Sequence, residues 1–402
     1  MIDIDNLAEQ LIPHYSHFDV GNRLLFTGHS HQAWPDVALE GLDESFYAAA
    51  RELDLKWEIA EEKTEILRNY LRAFYDDPDG YYCRALNTHS LLVSWLSSFD
   101  LQNKPKVITT DAEFHSMHRQ LRRLEEEGLE VVQLPGLDFE HFMNRLEEEL
   151  DDRTSAVMLS RVFFESSLVN PNIGEIAAMA RLNGIPLLID DYHGTNVVPL
   201  SLREAGLEDC YLLIGGYKYL QWGEGNCFLR FPNHCDLRPA VTGWFASFST
   251  LDQPRTDGPV HYDNGNQRFA SGTFDPASQF RAAKVVEFFK EQNLTPEVLR
   301  NQYKTQIQLM REQFLEKDLP SDAIRLFHNE PVEQNGGFLS FIAPDARKIR
   351  ALLLEHNVFT DARGSVLRMG PAPYITTTQI KQAMDILAEV VLKQVNRAKN
   401  IS

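Results

Sequence analysis

Leu188-Ile189-Asp190-Asp191-Tyr192-His193-Gly194 and Ile214-Gly215-Gly216-Tyr217-Lys218-Tyr219-Leu220 decide the fold of this 402-residue chain. Each begins as an apolar run of strand length and ends in a polar group. One ends in a carboxylate, Asp190, and the other, 28 residues later, in an amine, Lys218. A lone Asp after a strand ordinarily caps a helix, and a lone Lys in a Gly-rich turn is ordinarily a solvated charge. Two such groups on successive strand ends point instead to a shared site at the mouth of one sheet, where open α/β sheets bind ligands.

The surrounding pattern predicts that sheet. Short apolar strands are expected at Tyr81–Leu86, Val107–Thr110, Val131–Leu134, Ala156–Leu159, Leu187–Ile189, Leu212–Ile214 and Cys227–Phe231. Helical periodicity separates most of them, with helices opening near Thr88 and at about 173–183, another capped by Asp138, and a charged helix ending at Glu125-Glu126-Glu127-Gly128. Strand–helix alternation implies a mostly parallel, seven-stranded sheet with helices on both faces. Residues 37–75 read as one long or two successive helices, with Asp36 as N-cap. The texture changes near residue 280. Helices are expected at about 278–291, 296–316 and from 377, with apolar strands at Gly337–Ile342 and Ser365–Met369. The chain thus divides into an N-terminal segment (1–35) packing on a small domain, a large domain (36–280) and a smaller α+β C-terminal domain (281–402).

Composition excludes several classes. Apolar residues make up 43% and charged residues 24%, as in ordinary globular enzymes. No apolar run is long enough for a membrane span. The opening Met1-Ile2-Asp3-Ile4-Asp5 is acidic, unlike a secretory leader, and four cysteines in so long a chain are no disulfide framework. A cytoplasmic location is the expectation. A net charge of −19 argues against nucleic acid and anionic membranes as partners. No phosphate-binding loop, dinucleotide fingerprint or H-E-x-x-H is present. His29, His31, His115 and His118 could suggest a metal site, but His115 and His118, three apart at an expected helix start, read as solvated or active-site-rim residues, so no metal site is expected.

Longer motifs carry a resemblance. Asp190-Asp191-Tyr192-His193 is similar to a D-x-x-H motif, and Tyr217-Lys218-Tyr219-Leu220 to Y-K-Y-L. Pro239-Ala240 with Gly243-Trp244-Phe245 is similar to P-A-x-x-G-W-[WF]. Asp361-Ala362-Arg363 followed by Leu367-Arg368-Met369-Gly370-Pro371-Ala372-Pro373 is similar to D-x-R…I-R-x-x-P-x-P, and Gly28-His29-Ser30 more weakly to an N-S-L-G turn. Together these resemble the fold type I pyridoxal-phosphate enzymes of the class V aminotransferase branch, and within it the kynureninases.

The resemblance implies roles. Lys218 is the Schiff-base lysine and proton carrier, and Asp190 the partner of the pyridinium nitrogen. Tyr217 gives its hydroxyl to the phosphate, and His193 supports Asp190 or the phosphate. Asn87 and Thr88, at a strand-to-helix junction, offer N–H donors to the phosphate, although simple N-capping fits them equally well. Phe114 stacks on the ring, and Ser160 is a further cofactor contact. Trp244 and Thr273 reach the phosphate from the neighbouring subunit, which implies a homodimer with active sites at its interface. Arg368 forks onto the substrate α-carboxylate.

The chain departs from kynureninases at Ala246-Ser247, where Gly-His usually follows the G-W motif, and at Thr273-Phe274-Asp275-Pro276, where Asn-Pro is frequent. The implied activity is hydrolysis of the Cβ–Cγ bond of an acyl-alanine such as L-kynurenine, as in tryptophan catabolism. An aminotransferase or another lyase on the same scaffold is the alternative. A cysteine desulfurase needs a nucleophilic cysteine late in the chain, and none follows Cys235. A degenerate, cofactor-free scaffold fits poorly with an intact Asp190, His193 and Lys218.

Overall fold

The computed structural model describes residues 4–254 and 257–399. Met1-Ile2-Asp3 of the acidic opening lies outside them. Seven strands form the central sheet: β1 Tyr81–Ala85, β2 Lys106–Thr110, β3 Glu130–Leu134, β4 Thr154–Ser160, β5 Leu187–Asp190, β6 Tyr211–Gly215 and β7 Cys227–Phe231. Their order is β1-β7-β6-β5-β4-β2-β3. All neighbours are parallel except β7, which runs antiparallel to both β1 and β6.

These strands form because their apolar runs have cover on both faces. Every residue of β4, β6 and β7 is buried. Alternation divides the side chains between two cores. Leu187, Ile189, Leu212 and Ile214 pack into one, and Leu188, Leu213 and Leu229 into the other. Parallel strands enclosed this way read as continuous apolar runs, which is why the sequence marks them so well. In register, Ser160 stands beside Asp190 at the carboxyl end of the sheet.

Helices Val37–Glu52 and Lys56–Phe74 are separate, parted by a 3-10 turn at Leu53–Leu55. Both pack against the helix Ala277–Glu291, so the change of texture near residue 280 falls inside an element shared with the large domain. The smaller sheet contains β8 Arg325–Leu326, β9 Leu339–Ile342, β10 Asp361–Arg363 and β11 Val366–Met369, antiparallel in the order β10-β11-β9-β8. Helices Pro296–Glu316, Ala346–Glu355 and Thr377–Lys399 accompany it.

The N-terminal segment joins this C-terminal half. Leu24–Leu25 pairs in parallel with Val358–Phe359. The Gly28 N–H donates to the Gly370 carbonyl at 2.8 Å, and a Cβ on Gly28 would lie 2.2 Å from the Pro371 oxygen. Only glycine allows that approach.

Two expected helix caps are not formed. The Asp36 carboxylate accepts from the Ser16 N–H and hydroxyl at 2.9 and 2.7 Å, tying down the N-terminal segment. Asp138 pairs with His141 at 2.9 Å and Arg145 at 3.0 Å. In both cases a competing donor outbids the helix N–H groups.

Candidate active site

The carboxyl ends of β1, β2, β4, β5 and β6 surround a cavity of about 260 Å³. Its lining includes Lys218, Asp190, His193, Tyr217, Asn87, Thr88, Phe114 and Ser160. Residues spread over 130 positions of sequence therefore meet at one sheet edge.

Lys218 follows β6 and is buried. Its Nζ lies 2.9 Å from His193 Nε2 and 4.3 Å from the centroid of the Tyr192 ring. Tyr192 reaches this position because Gly215 has no side chain: a Cβ there would fall 1.7 Å from the Tyr192 ring carbon Cζ. Burial pushes the Lys218 pKa well down, with Arg368 adding to the effect and Asp190 opposing it. Burial thereby favours the neutral, nucleophilic form of the amine. Burial also drives His193 down, so its ring is neutral.

Asp190 ends β5. One carboxylate oxygen accepts the Tyr192 N–H at 2.9 Å. Burial raises its pKa, while Lys218 holds it down. The neighbouring Asp191 points to the opposite side of the strand end. It forms a buried bidentate pair with Arg161, at 2.6 and 3.0 Å, and accepts the Tyr75 hydroxyl at 2.7 Å. Of the two adjacent aspartates, Asp190 alone lines the cavity.

Asn87 does cap the helix Thr88–Leu96, its side chain accepting from the Ser90 N–H at 2.9 Å. The same helix start faces the cavity, so capping leaves room for an anion there. Phe114 stands edge-to-face with Phe164, their centroids 5.4 Å apart. Tyr217 stacks on His31 at 4.8 Å.

Ser160 lines the cavity, but its hydroxyl donates at 2.6 Å to Glu113, a residue the motifs did not mark. Glu113 also accepts from the Ser160 N–H at 3.0 Å and the Thr110 hydroxyl at 2.6 Å. Burial pushes its pKa to about 7. The one local signal is its place directly before Phe114 in the turn after β2.

Three predicted residues lie outside the cavity lining. Trp244 is 44% exposed, in the 3-10 segment Trp244–Thr250. Thr273 lines a second cavity of about 180 Å³, which shares Leu86 and Asn87 with the first. Arg368, on β11, is buried with its fork engaged: Nη1 donates to the Phe164 carbonyl at 2.6 Å and Nη2 pairs with Asp361. Its Nε has no hydrogen-bond partner among the described residues. Beside it, His29 is fully buried, stacked on Phe338 at 4.7 Å, with Nε2 3.8 Å from Asp361. Burial and Arg368 push its pKa to about 3, so it too is neutral.

Comparisons agree with this architecture. A structure of C-DES with glycine covalently linked to its PLP cofactor superposes with a TM-score of 0.78, at 16% identity, over 94% of this chain and 98% of that one. The apo cysteine desulfurase of Thermococcus onnurineus gives a TM-score of 0.78 at 15% identity, over 98% and 99%. The chain has the type I fold of the pyridoxal-phosphate enzymes. Residues 299–387 match the family model described as the kynureninase C-terminal domain. An uncharacterised aminotransferase of Bacillus subtilis, YcbU, is 24% identical over 355 residues, covering 86% of this chain and 88% of the relative.

The cavity fits pyridoxal phosphate on its own chemistry. It joins a buried lysine amine, a half-buried carboxylate with one oxygen left by its backbone bond, aromatic walls and a helix start facing inward. No helix among the described residues is long and apolar enough to cross a membrane.

Proposed function

We propose that this protein is a pyridoxal-phosphate enzyme acting on a small α-amino acid, with Lys218 as the attachment point, and that its reaction is a kynureninase-like hydrolysis of an acyl-alanine. The observation that carries the proposal is the buried, pKa-depressed Lys218 amine sharing one cavity with Asp190. When bound, the cofactor supplies an electron-accepting ring conjugated to the substrate α-carbon. Asn87, Thr88 and Tyr217 would hold its phosphate end, Phe114 its ring face, and Asp190 its ring nitrogen.

The chain's own residues do the rest. Lys218 would hold the cofactor through its amine, whose neutral form burial favours, and would move a proton at the substrate α-carbon, with His193 Nε2 at 2.9 Å to steady it. Arg368 receives the substrate carboxylate by exchanging it for Asp361, an ion-for-ion swap that never strands the guanidinium. In the overall reaction water adds to the side-chain carbonyl and the Cβ–Cγ bond breaks. The products are L-alanine and a carboxylic acid. The match over residues 299–387 supports this choice.

An aminotransferase is the second reading, favoured by the similarity to YcbU along most of the chain. A desulfurase activity is not proposed. All four cysteines are buried, and burial pushes Cys83 and Cys210 up to about 12. We also infer a cytoplasmic homodimer in which Trp244 and Thr273 approach the partner's site.

Incubating the holoprotein with L-kynurenine separates the two readings. Release of anthranilate and alanine in equal amounts supports the hydrolase. Formation of a 2-oxo acid from amino-acid donors, without anthranilate, would replace it with the aminotransferase.

A further inference from the structure

Outside the inner cavity lies a broad cleft of about 830 Å³. The large domain contributes His115 and Glu165, and the smaller domain Arg347, Arg350, Asp361 and Arg363. Two residue pairs fix its relation to the active site. Phe114 and Phe164 line the inner cavity, and the residue after each, His115 and Glu165, lines the cleft. Asp361 lines the cleft too, and it is bonded to Arg368. The cleft therefore begins where the aromatic wall and the carboxylate-binding arginine end.

Its charge is unlike that of the rest of the molecule. In a chain of net charge −19, three guanidinium groups face this one opening. They outnumber the two carboxylates that line it, Glu165 and Asp361. Arg347 has no hydrogen bond or ion pair among the described residues, and its side chain is exposed. Arg350 spends only its Nε, on the Thr360 carbonyl at 3.2 Å. Arg363 is 3.7 Å from Asp361 and half exposed. Guanidinium forks in a cleft bind carboxylates in pairs of hydrogen bonds, and the cleft walls concentrate their field. The cleft lies against the Phe114 and Phe164 side of the inner cavity, within reach of the far end of a longer side chain.

We propose that the cleft is a subsite for an anionic group, and that the substrate is an α-amino acid whose side chain ends in a carboxylate or a comparable anion, which in the hydrolase reading is an acyl-alanine with an anionic acyl group. The proposal rests on the amino-acid reading above. Arg347 and Arg363 are its specificity-determining residues, and Arg368 keeps the α-carboxylate.

The test is a titration of the holoprotein's visible cofactor absorbance with L-glutamate, L-2-aminoadipate and the neutral isostere L-glutamine. At least one acid is expected to bind about tenfold more tightly than glutamine at low salt, with the preference shrinking as salt screens it. In Arg347→Ala/Arg363→Ala the ratio of acid to glutamine affinity should fall to near one, with the melting temperature unchanged. Glutamine binding as tightly as both acids, or a ratio untouched by the double substitution, would overturn the subsite and leave the amino-acid reading intact. An absorbance that no amino acid shifts would overturn that reading and this inference with it.

Discussion

At the scale of single residues the site is organised by burial. Lys218, His193, Glu113 and Asp190 all have their charged forms penalised by desolvation. Such clustering of displaced pKa values marks functional positions. Glu113 gives a clean test. Its pKa rises from 4.5 to about 7 on folding, so the folded state holds the proton more tightly than the unfolded one. The resulting stability is complete below about pH 4.5 and is lost as pH rises towards about 7. The melting temperature of the wild type should therefore fall across that window, and that of Glu113→Gln should stay flatter. Thermal melts of both proteins from pH 4.5 to 8 check this; parallel curves would refute the ionisation of Glu113. Asp190 and Lys218 were legible in the sequence because each closes an apolar run. Glu113 was not. Its environment comes from Ser160, 47 positions away, and no local pattern encodes that contact. The missed caps at Asp36 and Asp138 have the same origin in competing partners. Arg368 was marked, but its prior engagement with Asp361 was invisible.

At the scale of elements, strand ends are the positioning device. β5 delivers Asp190, and Gly215 at the end of β6 makes room for the Tyr192 ring above Lys218. Gly215→Ala places a methyl inside that ring, so Tyr192 or the strand has to move. The expected cost is about 2–3 kcal/mol, read as a lowered melting temperature together with a changed environment for Lys218. A variant as stable as the wild type would contradict the packing described. Strand positions followed from the sequence to within a residue or two because enclosed parallel strands are continuous apolar runs. Strand direction did not. Cys227–Phe231 carries no local sign that it runs against its neighbours, since direction is set by the turn at Gly223 and Gly225, both at positive φ.

At the scale of the whole molecule, one chain leaves Trp244 and Thr273 outside the inner cavity. The same region exposes Val241, Trp244, Phe248, Leu251 and Val260. Apolar groups gathered within twenty residues are characteristic of a covered surface. A homodimer follows as the expectation, with about twice the chain mass by light scattering at micromolar concentration. Trp244→Arg should shift that mass towards the monomer and weaken cofactor retention. A monomeric wild type that keeps its cofactor would contradict it. The sequence named these residues through resemblance alone, because a partner surface has no signature within one chain.

The central claim is that Lys218 is the covalent attachment point for pyridoxal phosphate. Borohydride reduction of the protein with the cofactor, followed by peptide mass mapping, tests it most directly. A pyridoxyl phosphate adduct is expected on the peptide carrying Tyr217-Lys218-Tyr219, and none in Lys218→Ala. An adduct on another lysine, or no adduct from a folded wild-type protein, would contradict it.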